Sequence, residues 1–127
     1  KRYFSLIHQF GVRVLFHCCG AIRPMIPDLI EAGVDILNPI QVRARGMVPA
    51  ELKREFGRFL CFHGGIDIQK TLPFGTPEEV RAEVRQRLRE LGKDGGYILC
   101  STHNLQKQTP VENVLAMYEA AGSLKNR

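Results

Sequence analysis

The chain has 127 residues, of which 44% are hydrophobic and 24% charged, and 18 Lys and Arg against 13 Asp and Glu give a net charge of +5. That length suits one domain with a core of its own, and no apolar run approaches the roughly 20 residues needed to cross a bilayer. The four cysteines (18, 19, 61 and 100) are not a disulfide framework, because adjacent Cys18 and Cys19 are poor partners for each other; metal binding or plain burial in a reducing compartment is expected instead.

Taken in chain order, residues 2–10 read as a helix leading into a strand over 12–17. A helix over 24–32 stopped by Gly33 precedes a strand over 35–38, and a helix over 49–56 stopped by Gly57 precedes a strand over 59–63. The clearest helix is 77–91: Thr76 caps it, Pro77 fits the first turn and Glu79 completes a capping box. Its Val80, Val84, Leu88 and Leu91 form one apolar stripe, and Gly92 stops it. A strand over 97–100 follows. The last helix repeats the device with Thr109, Pro110 and Glu112, carries Val114, Leu115 and Tyr118 inward, and ends near Gly122.

The strands are apolar without polar alternation, as in parallel sheets covered on both faces. Strand and helix alternate throughout, so right-handed βαβ units are expected, in a doubly wound sheet or in half of a (β/α)8 barrel. Each strand finishes in polar residues: His17 and Cys19, Asn38 and Gln41, His63 and Asp67, then Cys100, His103 and Asn104. Chemistry after every strand suits a barrel mouth, whereas a doubly wound sheet gathers it at one switch point. No G-x-G-x-x-G or P-loop pattern is present, which argues against nucleotide binding. The basic cluster Arg43, Arg45, Lys53, Arg54 and Arg58 lacks aromatic interleaving, so it reads as a solvated surface or one that steers an anion, not as a nucleic-acid site.

The run VRVLFHCCG, residues 12–20, is the richest in chemistry. Residues two apart on a strand share a face, so His17 and Cys19 converge while Cys18 faces the packing helices. That pair can ligate zinc, or be a buried cysteine pair beside a hydrogen-bonded histidine. In FHGGID, His63 stands beside Gly64 and Gly65, which let backbone approach a ligand or make a tight turn. Cys61 shares the face of His63 one layer deeper and reads as a core thiol. Asn38 hydrogen-bonds a substrate or ties down the turn at Pro39. Arg23, Arg43 and Arg45 follow strand ends as anion contacts or surface charge, and His8 reads as a surface residue. The sequence carries no signal-peptide pattern, so a cytoplasmic chain, or a piece of a longer one, is expected.

Taken together, FHCCG, IPDLIEAGVDILNPIQ, ELKREFGRFLCFHGGIDIQKTLPFGTPEEV, GGYILCSTHNLQ and TPVENVLAMYEAA closely resemble the C-terminal half of the uroporphyrinogen decarboxylase family, over nearly the whole chain. The resemblance implies that the four strands are the second half of a (β/α)8 barrel. Because a free half barrel exposes sheet edges, a fragment of a longer protein or a homodimer is expected. Zinc- and corrinoid-dependent methyltransferases of that family are similar at His-x-Cys-Gly, matched by His17, Cys19 and Gly20. Their third zinc ligand is a cysteine shortly after the last strand; here His103 stands at that place and Cys100 three residues earlier. Decarboxylases carry a histidine facing the tetrapyrrole where His103 lies.

The resemblance therefore implies zinc on His17, Cys19 and His103 or Cys100, with a corrinoid on a partner protein. His63 and His103 are the expected catalytic residues. Asn38, Gln41, Gly64, Gly65, Asp67 and Asn104 are the expected substrate-binding ones. The alternatives are a metal-free decarboxylase acting on a tetrapyrrole, whose arginines and aspartate come from the other half, and a catalytically silent tetrapyrrole-binding fragment.

Overall fold

The computed structural model describes residues 1–122. Its elements are α1 (Arg2–His8), β1 (Leu15–His17), a single 3-10 turn (Arg23–Met25), α2 (Ile26–Ala32), β2 (Ile36–Asn38), α3 (Pro49–Phe56), β3 (Cys61–Ile66), α4 (Thr71–Phe74), α5 (Pro77–Leu91), β4 (Tyr97–Ser101) and α6 (Val111–Ala120). The four strands form one parallel sheet in the order β1-β2-β3-β4. A doubly wound sheet reverses its strand order at a switch point; here each strand pairs with the next in sequence, as in an arc of a (β/α)8 barrel.

Period-two alternation gives the sheet two different faces. Phe16, Leu37 and Phe62 turn toward the helices and pack with Ile26, Leu29, Leu52 and Phe56 in the larger core cluster, where Phe16 meets Phe4 of α1 edge-on at 6.2 Å. Cys18 packs on this cluster too, as expected from its position. A second cluster joins Ile66 and Leu72 to Val80, Val84, Ala116 and Met117. Among the described residues no helix covers the opposite face, where Leu15 is 50% and Ile98 42% exposed. That uncovered face carries His17, Asn38 and His63.

The bounds of α5 match the sequence reading; β1 is shorter than the expected 12–17 and β3 lies two to three residues later than the expected 59–63, and two helices pack differently from expectation. Leu88 lies off the buried stripe of α5, whose inner face is Val80, Glu83, Val84, Arg87 and Leu91. In α6 the buried residues are Asn113, Ala116 and Met117, while Leu115 is 48% exposed and Tyr118 is also turned out. The cause is Asn113, whose side-chain amide donates to the carbonyls of Leu72 at 2.9 Å and Gly75 at 2.7 Å. These bonds satisfy the end of α4 and set the rotation of α6.

The two Thr-Pro-x-Glu segments also diverge. Thr76 and Glu79 form a complete capping box, but α6 begins one residue later than expected, with Pro110 at the cap and no side-chain cap bond. Thr109 Oγ1 is buried without a partner. Thr76→Ala should therefore lower the stability to urea by about 1 kcal/mol. Thr109→Val should cost nothing, because no bond is lost and a desolvated hydroxyl is removed.

Candidate metal centre

Strand register brings the first part of the site together. His17 pairs with Asn38 across β1 and β2, and Leu37 pairs with Phe62 across β2 and β3, which sets His63 beside Asn38. Asn38 Oδ1 lies 2.6 Å from His17 Nδ1, and Asn38 Nδ2 donates to His63 Nδ1. On the far side of the His17 ring, Nε2 lies 3.3 Å from Cys19 Sγ. One polar row thus crosses three strands at their carboxyl ends.

The Cys19 turn is held by Gln41, whose Oε1 accepts the Gly20 backbone N–H at 2.7 Å. That bond ties the loop after β2 to the loop after β1. Gln41 therefore sets the position of Cys19, and its acceptor oxygen is already engaged.

The third donor comes from the other edge of the sheet. Strands spaced about 4.8 Å apart would leave β1 and β4 roughly 14 Å apart if the sheet were flat. The loop after β4 reaches back, and the His103 ring stands edge-on to His17 at 5.7 Å between centroids. His17, Cys19 and His103 each offer a ligand atom, all within 4.8 Å of one another. The loop is braced by Ser101 Oγ donating to the His103 carbonyl at 2.6 Å and by Asn104 N–H donating to His103 Nδ1 at 2.8 Å. Asn104 thus reaches the site through its backbone, on His103.

The donor set fits zinc. Two ligands on one tetrahedral zinc, with Zn–S of 2.3 Å and Zn–N of 2.0–2.1 Å, stand about 3.5 Å apart, close to the Cys19–His17 separation. His17 donates its Nδ1–H to Asn38, which leaves the Nε2 lone pair bare toward Cys19, the arrangement metal-bound histidines adopt. His103 is less prepared. A metal at its Nδ1 displaces the Asn104 N–H, and one at Nε2 requires the ring proton to move to Nδ1.

Cys100, the alternative third ligand of the sequence reading, does not join this cluster. Its Sγ lies 3.4 Å from His63 Nδ1 and donates to the Ser101 carbonyl at 3.1 Å, and burial pushes its thiol pKa up. Burial likewise pushes His63 down, so that ring is neutral near pH 7. Cys61 is held protonated by burial, against a smaller opposing pull from Lys53.

Gly64, Gly65 and Asp67, the expected substrate-binding residues of this region, are met by groups of the chain itself. Gly64 and Gly65 lie inside β3, not in a turn, and at φ of +106° and +98° both favour glycine. They admit protein: a Cβ on Gly64 would stand 3.3 Å from Ile40 N and Pro39 Cβ, and one on Gly65 3.1 Å from the Tyr97 hydroxyl. Their carbonyls accept from the Tyr97 hydroxyl and Arg87 Nε, at 2.6 and 3.1 Å. Asp67 is only 4% exposed and outside the cavity at the site. Its Oδ1 accepts the Gln69 N–H at 2.8 Å, with Arg43 at 3.5 Å from the other oxygen.

Arg23 is engaged by Glu51 and Glu55. His8 is exposed, and its Nε2 meets Asp35 at 2.7 Å. A cavity of about 340 Å³ opens beside the triad, lined by His17, Asn38, His63, Cys100 and the loop from Ser101 to Leu105.

Fold and site define a parallel βα protein of the (β/α)8 type, with an imidazole–thiol cluster at the carboxyl ends of its strands. The chain belongs to the uroporphyrinogen decarboxylase family, whose model, Uroporphyrinogen decarboxylase (URO-D), matches residues 1–124. It is 32% identical over 77 residues to a uroporphyrinogen decarboxylase of Nitrosospira multiformis, covering 61% of this chain and 20% of that protein. It is 30% identical over the same length to one of Trichodesmium erythraeum, covering 61% of this chain and 21% of that protein. Among solved structures it is similar to a methyltransferase from Methanosarcina mazei, with a TM-score of 0.77 at 21% identity over 95% of this chain and 34% of that one. That likeness is one of fold. The chain spans about a fifth of the length of these curated relatives and a third of that structure. Among the described residues no helix is long and apolar enough to cross a membrane.

Proposed function

We propose that this chain carries the metal-binding part of a zinc-dependent methyltransferase of the uroporphyrinogen decarboxylase family, working with a corrinoid-bearing partner protein in a reducing, cytoplasmic compartment. The observation that carries this reading is the convergence of His17, Cys19 and His103 within 4.8 Å of one another. A lone strand-end histidine is common; two imidazoles and a thiol from opposite edges of a sheet, with one imidazole oriented by an amide, are what a three-ligand catalytic zinc site requires.

Zinc, when bound there, supplies a Lewis acid that holds a substrate thiol as its thiolate, the nucleophilic form. The chain's own contributions are to hold and to orient. Cys19 would enter as a thiolate, His17 through Nε2, and His103 from the loop after β4, three ligands of the kind a catalytic zinc takes from protein. Neutral His63 and the protonated Cys100 thiol line the adjoining cavity without adding charge.

A second reading, metal-free decarboxylation of a tetrapyrrole, is favoured by the names of the curated relatives. In it His103 faces the substrate. The two readings separate on metal content. Elemental analysis after zinc reconstitution and desalting should give about one zinc per chain, lost in both His17→Ala and Cys19→Ser. A chain that holds no zinc and binds coproporphyrin equally with and without chelator is the decarboxylase-type or silent tetrapyrrole binder.

A further inference from the structure

The amide of Asn38 has both ends engaged, and an amide is not symmetrical: its oxygen only accepts and its nitrogen only donates. With the oxygen on His17 Nδ1, that nitrogen carries the ring proton and Nε2 is bare. With the nitrogen on His63 Nδ1, His63 must present a lone pair. Turning the amide over would set its NH2 against His17 Nδ1 and force the His17 proton onto Nε2, the atom facing Cys19. The direction of the row is therefore decided at its far end, where His63 offers an acceptor.

We propose that Asn38 and His63 are positioning residues for metal binding. His63 orients the Asn38 amide, and the amide selects the His17 tautomer whose Nε2 can ligate. This rests on the zinc reading above and reassigns both residues: neither end of Asn38 is free for substrate, and His63 acts through Asn38. His63 Nε2 has Cys100 Sγ at 3.8 Å and Nδ1 has it at 3.4 Å. The weak thiol contact leaves the Asn38 NH2 as the stronger partner on Nδ1.

The test pairs a metal-free measurement with a metal titration. The chain has four histidines, so the ring nitrogens of His17 can be assigned by NMR through single substitutions. In the metal-free wild type His17 is expected protonated at Nδ1, and in His63→Leu a mixture of tautomers is expected. In the titration, zinc affinity measured by competition with a chromophoric chelator should fall about 10–100-fold in Asn38→Leu, the usual worth of an outer partner. Asn38→Asp should bind zinc as well as wild type, because either carboxylate oxygen accepts the Nδ1–H. His63→Leu should weaken zinc in the wild-type background and change nothing in the Asn38→Asp background, where no amide remains to be oriented.

His17 protonated at Nε2 in the metal-free protein would overturn the proposal. So would an equal loss from His63→Leu in both backgrounds. Should the wild type take up no zinc, the functional reading fails by itself, and the nitrogen shifts still decide whether Asn38 and His63 set the tautomer.

Discussion

His103→Ala is expected to lower zinc affinity at least ~100-fold, since even outer partners of a ligand are worth 10–100-fold, while Cys100→Ser leaves it unchanged. The two residues are three apart and both follow the last apolar strand, so sequence alone could not choose between them. The geometry separates them: His103 lies with His17 and Cys19, whereas Cys100 lies against His63. A ligating cysteine must be a thiolate, and burial disfavours that state for Cys100. Cobalt substituted for zinc supplies the measurement. A thiolate-to-cobalt band of one-thiolate intensity should survive Cys100→Ser and vanish in Cys19→Ser. A band that halves in Cys100→Ser would return Cys100 to the metal.

The parts of this molecule that were legible from sequence are those set by short-range rules. The helix 77–91 was bounded correctly because its cap, its proline and its box residue are all local. His17 and Cys19 meet as expected, although Cys19 lies past the end of β1 in a turn, and the sequential strand order agrees with the barrel reading drawn from polar residues after every strand. What sequence could not reach depends on how one element is turned against another. Asn113 reads as a polar surface residue until the carbonyls at the end of α4 are seen above it, and its two bonds displace Leu115 and Tyr118 from the expected inner face. Asp67 follows a strand like the site residues do, yet its carboxylate is spent on its own loop. The glycines of FHGGID signal close approach correctly, but the approaching groups are Pro39, Ile40 and Tyr97. No pattern announces that Asn38 joins His17 to His63, because the three come from separate strands.

Glu83 and Arg87 were invisible for a related reason, and they carry the largest expected change in stability. A Glu–Arg pair four apart on a helix ordinarily lies on the solvated face and contributes a few tenths of a kcal/mol. Here both are buried within α5. Arg87 Nε donates to the Gly65 carbonyl at 3.1 Å and its guanidinium stands 3.5 Å from Glu83, while Glu83 Oε1 accepts the Asp67 backbone N–H at 3.2 Å. Arg87→Met keeps the length of the side chain but leaves a buried carboxylate without its cation, at a cost of about 3 kcal/mol at pH 7.

The pH dependence supplies a second reading of the same variant. Burial holds the Glu83 carboxyl above its ordinary 4.5, with Arg87 among the groups that pull it back down. A carboxyl whose pKa is higher folded than unfolded favours the folded state below the unfolded pKa, and that contribution is lost as pH rises through the folded pKa. Removing Arg87 raises the folded value further, so the penalty should shrink from pH 7 toward pH 5 as Glu83 takes up a proton. Urea unfolding at the two pH values measures it, and adding Glu83→Gln to Arg87→Met should recover part of the loss at pH 7. A penalty equal at both pH values, and unrelieved by Glu83→Gln, would mean that Arg87 acts through packing, the Gly65 carbonyl and its pair with Glu90 instead.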